Sequence, residues 1–416
     1  MSVEYKDWYP KVTSACFNLT DSCNLKCRYC FVEQQPHFMT LQTAKDAVNF
    51  LIENQKWKKE HSEVTNDIIH ITYFGGEPML LYEEIIKPLT LWCEETFPNQ
   101  IAFGITTNGT LLNKERIDFL KEHNIYPLLS IDGAPTTQNH NRPCRDETKS
   151  SFDLVFKNIP YLLEQFPGVT FRATIDQNTV QHTFENYLFA TAMGFKNIFM
   201  IPNSHTEWTQ DQLNMLDEQF GKIYNYILDV FRAGRRPIFS SPINESFKRV
   251  LEHDLDIVKN RQNFYKGFKR PVKRCGLGTL GCSIAYDGTI YGCQEQDSQS
   301  EADLFRIGNI YTGIDKEKHL ALLEAYDNSD IIQCADPSIC DQCQLRTMCK
   351  TYICPSSSWS VFKNLTTNGV SYCRWLQIMF HYAVQVMKIL TEENNENFHD
   401  YLAHNCGFNT LFKGGY

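Results

Sequence analysis

No segment of this chain is apolar for long enough to cross a bilayer. The most apolar C-terminal run, Trp375 to Leu390, is broken by Gln377, His381, Gln385 and Lys388, and its spacing suits an amphipathic helix packed on the body. The opening residues, Met-Ser-Val-Glu-Tyr-Lys-Asp, hold no apolar stretch of the kind a secretory signal needs. Basic residues are not in excess: 40 Lys and Arg face 49 Asp and Glu, a net charge of −9, which argues against a nucleic-acid partner. No repeat of solenoid period and no low-complexity tract interrupts the pattern. The expectation is a cytoplasmic protein with no membrane and no nucleic-acid partner.

Cysteine, by contrast, is abundant, at 16 in 416 residues. In a reducing compartment clustered cysteines bind metal or do redox chemistry more often than they form disulfides. With 42% hydrophobic residues the chain can bury a large core and is expected to form two domains or more.

From about residue 12 to 235, short β-rich runs alternate with amphipathic helical stretches, the signature of repeated βα units and a parallel sheet. The spacing predicts strands at Ala15–Leu19, Ile68–Tyr73, Ile101–Thr106, Pro127–Ile131, Thr170–Ile175 and Asn197–Ile201. It predicts helices at Leu41–Gln55, Glu83–Glu95, Lys114–Glu122, Ser151–Gln165, Thr183–Met193 and Gln210–Arg232. The expected fold is α/β: a partial (β/α)6 TIM-type barrel, then a small cysteine-rich domain and a C-terminal helix. Boundaries are drawn at 1–235 for the barrel, 236–270 for a bridging segment, 271–375 for the cysteine-rich domain and 376–416 for a helical tail. In parallel α/β folds reactive groups gather at the C-terminal ends of strands. Four loops fall there: the one after the first strand, Gly75-Gly76-Glu77-Pro78, Thr107-Asn108-Gly109 and Asp132-Gly133.

The first of these loops carries Cys23, Cys27 and Cys30 in a CX3CX2C spacing. Three thiolates in one short loop can hold three corners of a [4Fe–4S] cluster and leave the fourth iron open to a ligand that is not protein. Alone, the triad would also read as a zinc knuckle lacking one ligand. Glycines at 75 and 76 allow close backbone approach to a ligand, and Glu77 can accept from an ammonium group.

Together, the triad with Tyr29 before its last cysteine and the Gly-Gly-Glu-Pro loop resemble the radical S-adenosylmethionine (SAM) enzymes. The resemblance implies that Cys23, Cys27 and Cys30 hold the catalytic cluster, that SAM chelates its open iron, and that a 5′-deoxyadenosyl radical abstracts hydrogen from substrate. It further implies Tyr29 near the adenine, Gly75 and Gly76 along the methionine site, and Glu77 at its amino group. Ser130 would face the ribose, with Asp132 counted beside it; capping a turn is the ordinary alternative for both. Arg142 would meet the SAM carboxylate, where a planar guanidinium suits two-point contact, and Ser204 would lie near the adenine through backbone groups.

Nine cysteines lie between 275 and 373, arranged as Cys275-X12-Gly288-X4-Cys293, then Cys340-X2-Cys343-X5-Cys349-X4-Cys354, then Cys373. This resembles the SPASM domain of radical SAM enzymes that modify peptides and proteins, which carries two auxiliary [4Fe–4S] clusters. By position, Cys275, Cys293 and Cys354 would hold the first, with Cys282 as fourth ligand; Cys340, Cys343, Cys349 and Cys373 would hold the second. Three clusters and SAM are therefore the expected cofactors. The alternative for the second group is a zinc ribbon. The spacing departs from the usual pattern at Cys349-X4-Cys354, where X3 is expected. After Cys293 stands Gln294, where the sulfatase-maturating branch has a proton-accepting aspartate; a glutamine cannot take that proton, although Glu295 and Asp297 are near.

Gly276-Leu-Gly278-Thr-Leu-Gly281 matches GxGxxG but opens no helix after a strand, and is rejected as a dinucleotide site. Cys16 and Cys93 read as core residues, Cys144 and Cys406 are unassigned, and the stripe Met379, Tyr382, Val386 reads as core. Cys334 stands open between a stray thiol, a replacement ligand and a substrate-facing group.

The resemblance implies a maturase that crosslinks a ribosomally made precursor peptide, with thioether favoured over carbon–carbon bonds. Alternatives are formylglycine formation on a sulfatase, peptide epimerisation, backbone excision and, outside catalysis, a zinc-bound scaffold. The implied partners are the precursor peptide and an electron donor such as ferredoxin or flavodoxin. Only 22 residues precede Cys23, so leader recognition is expected from the barrel, the bridge, the tail or a separate leader-binding protein.

Overall fold

The computed structural model describes residues 12–61, 68–238, 241–253, 276–278, 282–297, 299–327, 333–341, 343, 345 and 354–405. The first strands and helices alternate as the periodicity predicts. They run β1 (Ala15–Thr20), α1 (Leu41–His61), β2 (Ile69–Gly75), α2 (Lys87–Thr96), β3 (Ile101–Thr107), α3 (Lys114–Glu122) and β4 (Tyr126–Ser130). The chain continues through α4 (Pro135–Asn141), α5 (Ser151–Phe156), α6 (Ile159–Gln165), β5 (Thr170–Ile175), α7 (Thr183–Ala192) and β6 (Asn197–Pro202). Helices α8 (Gln210–Arg232) and α9 (Ser241–His253) follow.

Strands β1 to β6 pair parallel in sequence order. Alternation sorts their side chains. Ile71, Tyr73, Ile105, Leu129, Phe171 and Ile198 are buried under the helices, while Phe74, Thr106, Ser130, Arg172, Thr174 and Phe199 line the barrel's interior.

Two expected helices form differently. The stretch predicted as Ser151–Gln165 is split into α5 and α6, because Pro160 occupies the first turn of α6 and has no N–H to continue α5. The stretch predicted as Glu83–Glu95 begins as a short 3₁₀ turn, Pro78–Leu81, and a π turn, Tyr82–Ile86, before α2 opens with Pro88 in its first turn.

The cysteine-rich part continues the same sheet. Strands β7 (Ser283–Ile284), β8 (Thr289–Tyr291), β9 (Arg306–Asn309) and β10 (Gly313–Ile314) make it ten-stranded. Strand β7 pairs parallel with β1, and β8 to β10 continue antiparallel. After α10 (Lys316–Asp327) come β11 (Gln333–Cys334), α11 (Pro337–Asp341), α12 (Pro355–Phe362), β12 (Thr367–Asn368), α13 (Val370–Glu392) and α14 (Glu396–Asn405). Helix α13, predicted from Trp375 to Leu390, packs on α8 and α9: Tyr224 stacks on Tyr382 at 5.6 Å and donates to the Met379 carbonyl at 3.1 Å. Phe231 and Phe247 close the layer against Phe398 of α14. Among the described residues no helix is long and apolar enough to cross a membrane.

Candidate active site at the mouth of the barrel

The loop after β1 is clamped by the segment that follows α4. Lys26 N donates to Pro143 O and Arg28 N to Asn141 O, both at 2.9 Å, and Arg145 Nε donates to Cys23 O at 2.8 Å. Cys144, unassigned in the sequence, forms a backbone bridge with Leu25 in this clamp. All three cysteines of the triad face a cavity of about 610 Å³. Leu25 N donates to Cys23 Sγ at 3.4 Å, and Asn108 Nδ2 lies 3.7 Å from the same sulfur. Burial pushes the Cys23 thiol up to about 12 and Cys27 up to about 11, so iron binding here would release protons.

Gly75 and Gly76 form the floor beside the triad. Gly75 has φ +126°, and a Cβ on it would stand 2.3 Å from Asn18 Oδ1; a Cβ on Gly76 would stand 2.3 Å from the Ser22 carbonyl oxygen. No side chain fits at either position. The next residue, Glu77, is buried, and its carboxylate accepts from Met79 N at 3.0 Å, Thr107 Oγ1 at 2.8 Å and Asn108 N at 2.7 Å. Burial still outweighs these donors and raises its pKa to about 7.

Tyr29, Arg142 and Ser130 line the cavity, but Asp132 does not. The carboxylate of Asp132, expected beside the cofactor, stands outside this lining with its oxygens already engaged. Arg142 Nη2 and Thr174 N donate to Oδ1, each at 3.0 Å; Tyr29 Oη and Asn141 Nδ2 (3.1 Å) donate to Oδ2. Asp132 thus orients Tyr29 and Arg142. Burial works against the Arg142 charge, and Asp132, Tyr29 and Cys27 more than restore it. Its Nε is buried without a hydrogen-bond partner.

Ser204 lines the cavity, yet its hydroxyl is engaged with Ser357 Oγ of α12 at 2.8 Å, which leaves backbone groups to face a ligand. Further links tie the C-terminal part across the barrel mouth. The Cys16 thiol donates to Gln294 Oε1 at 2.7 Å, Ser300 Oγ donates to Glu33 Oε1 at 2.9 Å, and His205 Nε2 lies 3.7 Å from Glu295 Oε2.

Several lining residues were not anticipated. Arg172 on β5 projects its cation over Phe199 at 5.0 Å, and burial followed by the nearby Arg142 lowers its pKa. Period two on β5 could have placed Arg172 in the interior. The cavity is also lined by Tyr372, Trp375, Leu376 and Met379, one face of α13 at helical spacing. Met379, read as core, is 1% exposed and lines the cavity as well. The Trp375 Nε1 is buried without a partner.

Of the downstream cysteines, Cys354 lines the cavity with its Sγ 3.7 Å from Glu295 Oε2. Gly278 N donates to Gly292 O at 2.8 Å, which brings the strand before Cys293 beside residues 276–278. Cys282 is fully buried at the start of β7, its carbonyl accepts from Cys16 N at 2.9 Å, and burial with the Cys16 thiol beside it pushes its pKa up to about 12. Cys340, Cys343 and Cys373 are half-buried around α11 and the first turn of α13. Cys275, Cys349 and Cys406 lie outside the described residues, as does most of the bridging segment.

Three thiols lining one cavity, two glycines whose backbone packs directly against the loop that bears those thiols, and an orphan guanidinium N–H suit an iron–sulfur cluster with an amino-acid-bearing cosubstrate. Residues 17–188 match the Radical SAM superfamily. These residues form a Radical SAM domain, a family that implies a [4Fe–4S] cluster. The chain is 24% identical over 345 residues to a cysteine-type anaerobic sulfatase-maturating enzyme of Clostridium perfringens, covering 80% of this chain and 85% of that protein. It is 22% identical over 289 residues to the radical SAM cyclopropyl synthase TigE of Paramaledivibacter caminithermalis, covering 66% of this chain and 56% of that one. Its fold is similar to that of native anSMEcpe with bound AdoMet and Cp18Cys peptide, at a TM-score of 0.66 and 19% identity, over 91% of this chain and 99% of the other.

Proposed function

We propose that the protein is a radical SAM/SPASM maturase that installs a crosslink in a ribosomally made precursor peptide, thioether in preference to carbon–carbon. One observation carries this reading: a single cavity is lined both by Cys23, Cys27 and Cys30 and by Glu295, Cys354, Trp375 and Met379. When bound, the cluster and SAM supply a 5′-deoxyadenosyl radical that takes a hydrogen atom from substrate. Tyr29, Gly75, Gly76, Glu77, Ser130, Arg142 and Ser204 would hold SAM, with Asp132 setting Tyr29 and Arg142. The apolar face of α13 excludes water from its part of the cavity.

Forming a carbon–sulfur bond from C–H and S–H removes one hydrogen atom, one proton and one electron. Glu295, which lines the cavity, would take the proton. Two auxiliary [4Fe–4S] clusters would take up the electron, one on Cys275, Cys282, Cys293 and Cys354, the other on Cys340, Cys343, Cys349 and Cys373. The precursor peptide, a ferredoxin or flavodoxin and a separate leader-binding protein are the partners of this reading, in a cytoplasmic setting. Formylglycine formation is the second reading: Gln294 is engaged by Cys16, but Glu295 faces the same cavity. Epimerisation and backbone excision use the same framework.

Anaerobically purified protein is expected to hold about twelve iron atoms, and replacing Cys23, Cys27 and Cys30 by Ala should abolish reductive SAM cleavage and leave about eight. Cleavage that survives this change would overturn the site. Mass spectrometry after incubation with a precursor peptide encoded beside the gene separates the outcomes. Loss of a pair of hydrogen atoms indicates a crosslink, an unchanged mass outside deuterated solvent indicates epimerisation, and a large loss indicates excision.

A further inference from the structure

Three arginines line the reaction cavity, and two of them have an acidic neighbour. Arg142 Nη2 pairs with Asp132 Oδ1 at 3.0 Å, and Arg249 Nε lies 3.8 Å from Glu245 Oε1. Arg172 differs: among the described residues no carboxylate stands within 4.0 Å of it. Its position is nevertheless fixed. It projects from β5, with Ser130 of β4 and Phe199 of β6 as its partners in register. Its Nη1 donates to Ala173 O at 2.7 Å, and the guanidinium lies 5.0 Å from the centre of the Phe199 ring. A guanidinium has five N–H donors, so most of the fork remains for a ligand.

We propose that Arg172 is a specificity-determining residue that holds a carboxylate of the substrate peptide, from an acidic side chain or from the C-terminus. The proposal rests on the reading of the protein as a peptide maturase. A half-buried cation with no counter-charge is costly, and the nearby Arg142 adds repulsion. A carboxylate offsets both, and the planar fork meets it at two points. SAM brings one carboxylate of its own. In the reading above that group meets Arg142, whose buried Nε has no hydrogen-bond partner. Arg172 is then left for the other ligand of the cavity.

The test measures binding of two ligands to the reconstituted full chain under anaerobic conditions. One is a fluorescently labelled synthetic peptide with the sequence of the precursor encoded beside the gene, followed by anisotropy; the other is SAM, followed by equilibrium dialysis. Arg172→Gln should weaken peptide binding about tenfold or more, and Arg172→Lys by less, with SAM affinity held within about twofold. The peptide is then altered in two arms, each Asp or Glu changed singly to Asn or Gln, and the C-terminus amidated. One of these changes should weaken binding to wild type and add little to Arg172→Gln, which names the source of the carboxylate. If no peptide change couples to Arg172, the proposal fails. A loss of SAM affinity in place of peptide affinity would overturn it too, by making Arg172 a SAM-binding group. Arg172→Met removes an unpaired charge and should unfold at the wild-type denaturant concentration or above. A clearly lower midpoint would give Arg172 a structural role instead. Wild-type protein that cleaves SAM but binds none of these peptides would sink the maturase reading, and this proposal with it, whatever the Arg172 variants do.

Discussion

Glu77 holds three hydrogen bonds from protein donors and is still poised near neutrality, because burial costs its carboxylate more than those donors return. Its folded pKa of about 7 lies above the ordinary 4.5, so the unfolded chain releases this proton first as pH rises. The contribution to stability is therefore intact below about pH 4.5 and declines until about pH 7, by roughly 3 kcal/mol. Glu77→Gln should flatten that decline; denaturant unfolding of both proteins across the window measures it. An ammonium ligand beside Glu77 would favour its ionised form, so saturating SAM should pull the window towards lower pH. The residues read from sequence at this scale form two local motifs, the triad and Gly-Gly-Glu-Pro, and within each the spacing is the chemistry. Arg172 and Trp375 belong to no such motif, since each joins the site only through the face of the strand or helix that carries it.

Helix α8 shows the same contrast among elements. Thr209 Oγ1 accepts from Gln212 N at 3.3 Å, and Gln212 Oε1 accepts from Thr209 N at 2.9 Å, a reciprocal cap. Leu213, Leu216, Phe220, Ile223, Tyr224, Ile227 and Phe231 form its buried stripe. Thr209→Ala should cost about 1 kcal/mol of stability in thermal or denaturant unfolding and leave the iron content unchanged. Strand positions were legible because alternation over five or more residues repeats one message. The split between α5 and α6 was not, because apolar spacing runs across it and only the missing N–H of Pro160 breaks the ladder.

On the scale of the molecule, the sheet does not stop where the texture of the sequence changes. Strand β7 pairs with the outer edge of β1, Cys16 opposite Ser283 and Phe17 opposite Ile284, and removes an open edge next to the triad. A chain cut after residue 253 would expose that edge, and it is expected to be recovered mainly in the insoluble fraction, while the full chain stays in solution. A soluble, monomeric truncation by size-exclusion chromatography would show that the edge needs no cover.

Local spacing alone carried the barrel's strands, the cysteine triad and the glycine loop, because neighbouring residues decide alternation, turn conformation and ligand spacing. Tertiary structure alone decided that Asp132 stands outside the cavity lining, that Glu295 and α13 line the same cavity as the triad, and that Gln294 accepts from Cys16. Those relations join positions as far apart as Cys16 and Gln294, 278 residues, and only packing of the whole sheet brings such groups within hydrogen-bond reach. The triad marks where a radical would be made; the walls that close over it determine what the radical can reach.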